Sequence, residues 1–114
     1  MRVMTATEIK RGDVWWVAFD PALGGEIRKT RPAVVVSNDS ANRNLNRLQA
    51  VPLTSSIDRL YPAEVYITFD GKTNKAMADQ ITTVAKERLR GKIGELTNVD
   101  IRAVEQAIRI QLDL

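Results

Sequence analysis

The stretch RKTRPAVVVSND, from Arg28 to Asp39, crowds three cations into four positions ahead of a proline and an unbroken apolar run. Arg31 precedes Pro32, whose ring disfavours helical backbone in the residue before it, so Arg31 is held extended at the mouth of a strand. A guanidinium fixed in direction by that strand, with Arg28 and Lys29 on the adjacent loop, offers a phosphate a planar, permanently charged, bidentate partner. The competing reading is an ordinary ion pair of Arg31 with Glu26 or Asp39. Thr54, ending the apolar run of VPLTSS with Ser55 beside it, can lend a hydroxyl to the same phosphate, although a lone threonine there also serves as a plain strand residue.

The 114 residues include no histidine and no cysteine. That removes the usual general base near neutral pH, Ser-His and Cys-His nucleophiles, disulfides and zinc-thiolate sites. Any catalysis falls to arginine, lysine, carboxylates or hydroxyls. Asp13, Asp20, Asp39, Asp70 and Asp79 are scattered, mostly beside Gly, Pro or Asn, where aspartate ordinarily caps turns. No carboxylate pair stands out as a metal site, so neither a metal nor another cofactor is expected. The net charge of +3 suits an anionic partner or mere solubility.

The elements that must position Arg31 and Thr54 follow from patterning. GDVWWVAFD, Gly12 to Asp20, alternates Val14, Trp16 and Ala18 against Asp13, Trp15 and Val17 and reads as a strand. Trp15 and Trp16 then face opposite ways, one into the core and the other toward a dimer interface, the favoured reading, or a stacked base. PALGGEIRKT reads as a loop. RPAVVVSND is a strand that Pro32 can only begin, apolar on both faces and so central. NDSANRNLNR reads as a turn with one helical turn capped by Asn38 or Asp39.

Further strands are expected over Leu48 to Thr54, with Pro52 at an edge or bulge, Pro62 to Asp70, Ala76 to Val84 and Lys92 to Glu95, with a helical turn near Lys86 to Leu89. Thr97 with Asp100 resembles a capping box, and Ile101, Val104, Ile108 and Leu112 recur at helical spacing, giving a C-terminal helix that covers the sheet. Five or six strands and one terminal helix make a small, mostly antiparallel, barrel-like α+β domain. At this length the chain is expected to be one domain, with residues 1–8 a flexible extension. Its apolar runs are too short to cross a bilayer and no secretory h-region follows Met1, so a cytoplasmic location without membrane contact is expected.

KRGDVWWVAFDP, GGEIRKTRPAVVVSND, VPLTSS and ADQI, in this order and spacing, resemble the MazF/PemK/Kid family of toxin endoribonucleases across nearly the whole chain. The resemblance implies an SH3-like barrel, a homodimer, metal-independent cleavage of single-stranded RNA and neutralisation by an antitoxin whose acidic tail occupies the RNA groove. It puts Arg31 on the family's catalytic arginine and Thr54 on its catalytic threonine, and Gly24, Glu26 and Gln80 on family positions in the loop and near the groove. Where some members carry an arginine two places after the glutamine, this chain has Thr82.

The implied chemistry is attack of a ribose 2′-OH on the adjacent phosphate, which makes RNA obligatory. A side chain with a pKa above about 12 is a poor base, so Glu26 is the more natural proton acceptor and Arg31 an electrostatic anchor. Arg28, Lys29, Ser55, Arg59, Gln80 and Lys86 are the candidate RNA contacts. Two other readings compete. One is a gyrase-poisoning toxin of the same architecture, disfavoured by the absence of a terminal tryptophan in IRIQLDL; the other is a barrel that binds nucleic acid without cutting it.

Overall fold

In the structure, a computed structural model that describes residues 8–19 and 30–114, seven strands and two helices follow in order. They are β1 (Asp13–Ala18), β2 (Thr30–Val35), α1 (Asp39–Asn44), β3 (Arg47–Thr54), β4 (Glu64–Phe69), β5 (Lys72–Met77), β6 (Thr82–Ala85), β7 (Leu89–Glu95) and α2 (Asn98–Leu112). Single 3₁₀ turns at Ala78–Gln80 and Lys86–Arg88 flank β6.

The strands pair antiparallel in the order β4-β5-β3-β2-β1-β7, and β6 pairs with the first half of β3. The sheet curls into a half-barrel. Its alternating faces build two cores, as strand geometry requires when both faces are apolar. Val14, Val34, Val51, Leu53 and Ile67 pack on one side with Val104 of α2; Trp15, Val17, Ala33, Val35, Leu48 and Val84 pack on the other. β2 is therefore interior, as its double-sided apolar run implies. At the open edges Phe69 of β4 approaches Gly94 of β7 so closely that a methyl on Gly94 would lie 3.0 Å from the ring.

The Arg11-Gly12-Asp13 corner locks α2 to the sheet. Gly12 has φ +93°, and a Cβ there would sit 2.6 Å from Ile101 of α2, so both backbone and space demand glycine. The Arg11 guanidinium meets Glu105 of α2 at 2.7 Å. Asp13, only 2% exposed, accepts the Lys10 amide at 2.9 Å and the Trp15 indole N–H at 3.4 Å, with Lys92 Nζ at 3.4 Å. Trp15 is thereby a satisfied core residue. Thr97 caps α2 by accepting the Asp100 amide, but the Asp100 carboxylate does not close the box; it accepts the Thr68 amide of β4 at 2.9 Å.

Several sequence expectations change here. Pro32 does not begin its strand; β2 starts at Thr30, and Pro32 stands opposite Trp16 in the β1–β2 ladder. Pro52 lies inside β3, opposite Ala33; on the other side of β3 it falls between the β6 ladder, which ends at Ala50, and the β5 ladder, which starts at Leu53. A missing donor is tolerated in such a gap. The expected strand over Ala76–Val84 is two strands broken by the Ala78–Gln80 turn, and β5 begins earlier, at Lys72, after an Asp70-Gly71 turn with both residues at positive φ. Seven strands therefore replace five or six. Leu112 is exposed rather than part of the packed face of α2, which is Ile101, Val104, Ala107 and Ile108. Except for Glu8, the expected extension over residues 1–8 lies outside the described residues, as does most of the β1–β2 connection.

Candidate active site

The ends of β2, β3, β4 and β5 meet around a cleft of about 480 Å³ lined by Trp16, Arg31, Thr54, Phe69, Lys72 and Asn74, among others. The β2–β3 ladder runs from Val35 against Ala50 to Ala33 against Pro52 and ends there; Arg31 on β2 and Thr54 on β3 each lie two residues beyond it, and both line the cleft. Spacing in the sequence, 23 residues, contains no trace of this neighbourhood.

Arg31 and Thr54 each have cross-strand partners on other strands. Val17 opposes Arg31 in the β1–β2 ladder, Thr54 opposes Lys75 of β5, and Lys75 opposes Tyr66 of β4. Arg31 thus sits on an interior strand and is held in the β1–β2 ladder, which favours the rigidity a preorganised electrostatic group needs. Its ion pair with Asp39 is ruled out by distance, since Asp39 follows the far end of β2. There it accepts the Arg11 amide at 2.7 Å, a bond that, with Asn42, holds the Asp39 carboxyl below its ordinary range. Among the described residues Arg31 forms no ion pair. Thr54 Oγ1 accepts the Ser56 amide at 3.1 Å, which turns the chain out of β3 and leaves the hydroxyl proton to donate.

Trp16 is 40% exposed and lines this cleft, and the β1–β7 ladder slips register on either side of the Trp15–Trp16 pair. Bulges of this kind re-aim side chains. The favoured sequence reading gives the second tryptophan to a dimer interface and the alternative to a stacked base; its exposed place in the cleft with Arg31 and Thr54 fits either role. Phe69, Lys72 and Asn74 were missed, because nothing in the sequence tells that the Asp70-Gly71 hairpin folds back beside Thr54.

The remaining candidates divide. Ser55 lines the cleft with Thr54. Arg59 stands outside it on the 55–63 segment, exposed, with its guanidinium 3.3 Å from Tyr61 Oη and 5.8 Å from that ring's centre. Gln80 lies past the other end of β5, where its amide contacts Met77 Sδ at 3.5 Å. The Lys86 amide bonds to the Asn46 carbonyl before β3 begins, roughly 25 Å from Thr54 at the usual strand rise. Neither Gln80 nor Lys86 is brought into the cleft. Glu26, Arg28 and Lys29, with Gly24, lie outside the described residues, so the expected proton acceptor and the two loop cations do too.

A buried ion pair borders the site. Lys75 Nζ is 2.8 Å from Glu64 Oε1, and each side chain is 8% exposed. Burial pushes the Glu64 carboxyl up, but the Lys75 ammonium and the Tyr61 amide outweigh it and hold the group below its ordinary value. No group of three or more Asp or Glu able to hold a metal occurs among the described residues.

A curled antiparallel half-barrel with a C-terminal helix, bringing an arginine, a threonine and an exposed indole to one cleft, defines a small β-rich protein with a polar and aromatic cleft at its strand ends. The chain belongs to the PemK-like, MazF-like toxin family of type II toxin-antitoxin systems, whose profile matches residues 10–112. It is 41% identical to Endoribonuclease MazF9 of Mycobacterium tuberculosis (strain ATCC 25618 / H37Rv), over 93% of this chain and 98% of that protein. It is 34% identical to the Endoribonuclease toxin MazF of Escherichia coli (strain K12), over 87% and 89%. Among solved structures, an endoribonuclease from mycobacterial species superposes with a TM-score of 0.78 at 28% identity, over 95% of this chain and 94% of that one. An endoribonuclease in complex with its cognate antitoxin, also mycobacterial, superposes with a TM-score of 0.76 at 29% identity, over 92% and 95%.

Proposed function

We propose that this chain is the toxin of a type II toxin-antitoxin pair, a sequence-specific endoribonuclease that cleaves single-stranded mRNA and so stops translation and growth. The observation that carries the reading is the gathering of Arg31 and Thr54 in one cleft with an exposed indole. The ribose 2′ oxygen attacks the neighbouring phosphorus and gives up its proton to Glu26. The bond from phosphorus to the 5′ oxygen breaks, and that oxygen takes up a proton. The products are a 2′,3′-cyclic phosphate and a 5′-hydroxyl.

Negative charge grows on the non-bridging oxygens in the transition state, where Arg31 gains strength over the ground state; such a fixed donor is worth about 3–4 kcal/mol. Thr54 donates to one non-bridging oxygen. Nothing in these steps requires a metal. The protein works as a cytoplasmic homodimer and is silenced by an antitoxin whose acidic tail competes for the RNA groove; the relative solved with its cognate antitoxin supports this partnership. The relatives' names, all endoribonucleases, favour this reading over gyrase poisoning.

The test is incubation of the purified chain with a long single-stranded RNA in EDTA, beside Arg31→Ala, with mapping of fragment ends. Discrete cuts leaving 5′-hydroxyl ends, lost in the variant, are expected. Intact RNA with folded wild-type protein overturns the reading.

A further inference from the structure

The segment from Ser55 to Ala63, between β3 and β4, contains no helix or strand, yet it carries Ser55 at the cleft and the cation Arg59. Side chains of the neighbouring strands fasten it. Lys75 Nζ donates to the Arg59 carbonyl at 2.6 Å, Tyr66 Oη donates to the Ile57 carbonyl at 3.0 Å, and the Tyr61 amide donates to Glu64 Oε1 at 2.9 Å. The Lys75 ammonium also lies 5.5 Å from the centre of the Tyr61 ring.

Two of these anchors, Lys75 and Tyr66, stand in one cross-strand row with Thr54. A buried ion pair is a poor way to gain stability, because desolvating both charges offsets most of their attraction. An apolar pair at these positions would pack as well but could not reach a backbone carbonyl. The nitrogen at the end of the Lys75 stem makes that bond, and Glu64 lies 2.8 Å from it as its ion-pair partner.

We propose that Glu64, Lys75 and Tyr66 form a clamp that positions the 55–63 segment against the RNA strand, so that the residues paired beside Thr54 also set where Ser55 and Arg59 meet the substrate. The three are positioning residues; none touches the scissile phosphate. The part of this inference that concerns RNA rests on the ribonuclease reading above.

Two variants test it. Glu64→Gln combined with Lys75→Met removes both buried charges together, so neither is stranded, and Tyr66→Phe removes one hydroxyl from an exposed ring. Amide hydrogen exchange over residues 56–62 and steady-state RNA cleavage are measured on each. Exchange in the segment is expected to rise about tenfold or more in the double variant and less in Tyr66→Phe, with exchange in β2 and β3 unchanged. KM for RNA is expected to rise by about tenfold while kcat changes little, since ordering of the segment is then charged to binding. Unchanged exchange in both variants overturns the clamp. Faster exchange with unchanged KM overturns its role toward RNA, and a fall in kcat and melting temperature with KM constant shows a merely structural pair. If wild-type protein leaves RNA intact, the ribonuclease reading fails, and the exchange data alone decide whether the clamp exists.

Discussion

Trp16 and Arg31 belong to successive cross-strand pairs of one ladder, Trp16 against Pro32 and Val17 against Arg31. Alternation sends the two side chains to opposite faces, yet both line the same cleft, because it opens at the strand ends and takes its walls from both faces. A phosphate at the guanidinium and a base on the indole would thus occupy the same cleft.

Trp16→Ala tests this directly. Loss of one stacking platform costs about 1–3 kcal/mol, or roughly 5- to 150-fold in RNA affinity. Because the ring is 40% exposed, the melting temperature should move little. Filter binding of a cleavage-resistant RNA with a 2′-deoxy scissile position reads the effect. Dissociation of a dimer with unchanged RNA affinity would restore the interface role.

Arg31→Ala should lower kcat by about 10² to 10³, the loss seen when one preorganised donor to a developing oxyanion is removed. Arg31→Lys should recover only part, since an ammonium is a point charge without the planar fork. Single-turnover cleavage at saturating protein separates this from weakened binding. Full activity of Arg31→Ala would move the chemistry elsewhere.

Gly12→Ala should destabilise the fold by roughly 1–3 kcal/mol, because alanine is strained at positive φ and its methyl would press on Ile101. Thermal melts check this. Shortening the opposing side chain in Gly12→Ala/Ile101→Val should leave the φ strain and relieve only the clash.

Acid should weaken the protein through Glu64. Its folded-state pKa lies below the ordinary 4.5, so its contribution is complete above that value and is lost as pH falls through the lower folded value. The Glu64→Gln/Lys75→Met variant should therefore show a flatter stability profile below about pH 4.5 than wild type. Urea midpoints measured from pH 3 to pH 6 decide it; parallel profiles would place the acid sensitivity in other carboxylates.

Much of the architecture was legible because it is written locally. The double-sided apolar run Ala33–Val35 announced an interior strand, the alternation of Val65, Ile67 and Phe69 a half-buried one, and Thr97 with Ile101, Val104 and Ile108 a capped amphipathic helix. The break at Ala78–Gln80 was not legible, since Ala76 to Val84 reads as one apolar-rich stretch and the change of sheet partner that splits it is a long-range event. Asp100 shows the same limit in one residue: its spacing from Thr97 gave a capping box, but β4 supplied a better donor for its carboxylate.

For the site, residue chemistry alone determined that catalysis here must run without histidine or cysteine, and the bond to Pro32 determined that Arg31 enters a strand extended. Which groups Arg31 works with was decided only by tertiary structure. Cross-strand register converts a sequence separation of 21 residues into the adjacent pair Thr54 and Lys75, and the meeting of strand ends gathers Arg31, 23 residues before Thr54, into the same cleft. It also buries Lys75 against Glu64 and brings the Asp70-Gly71 hairpin to the cleft. Register depends on how two apolar faces pack at once, a condition on the whole sheet that no single segment contains.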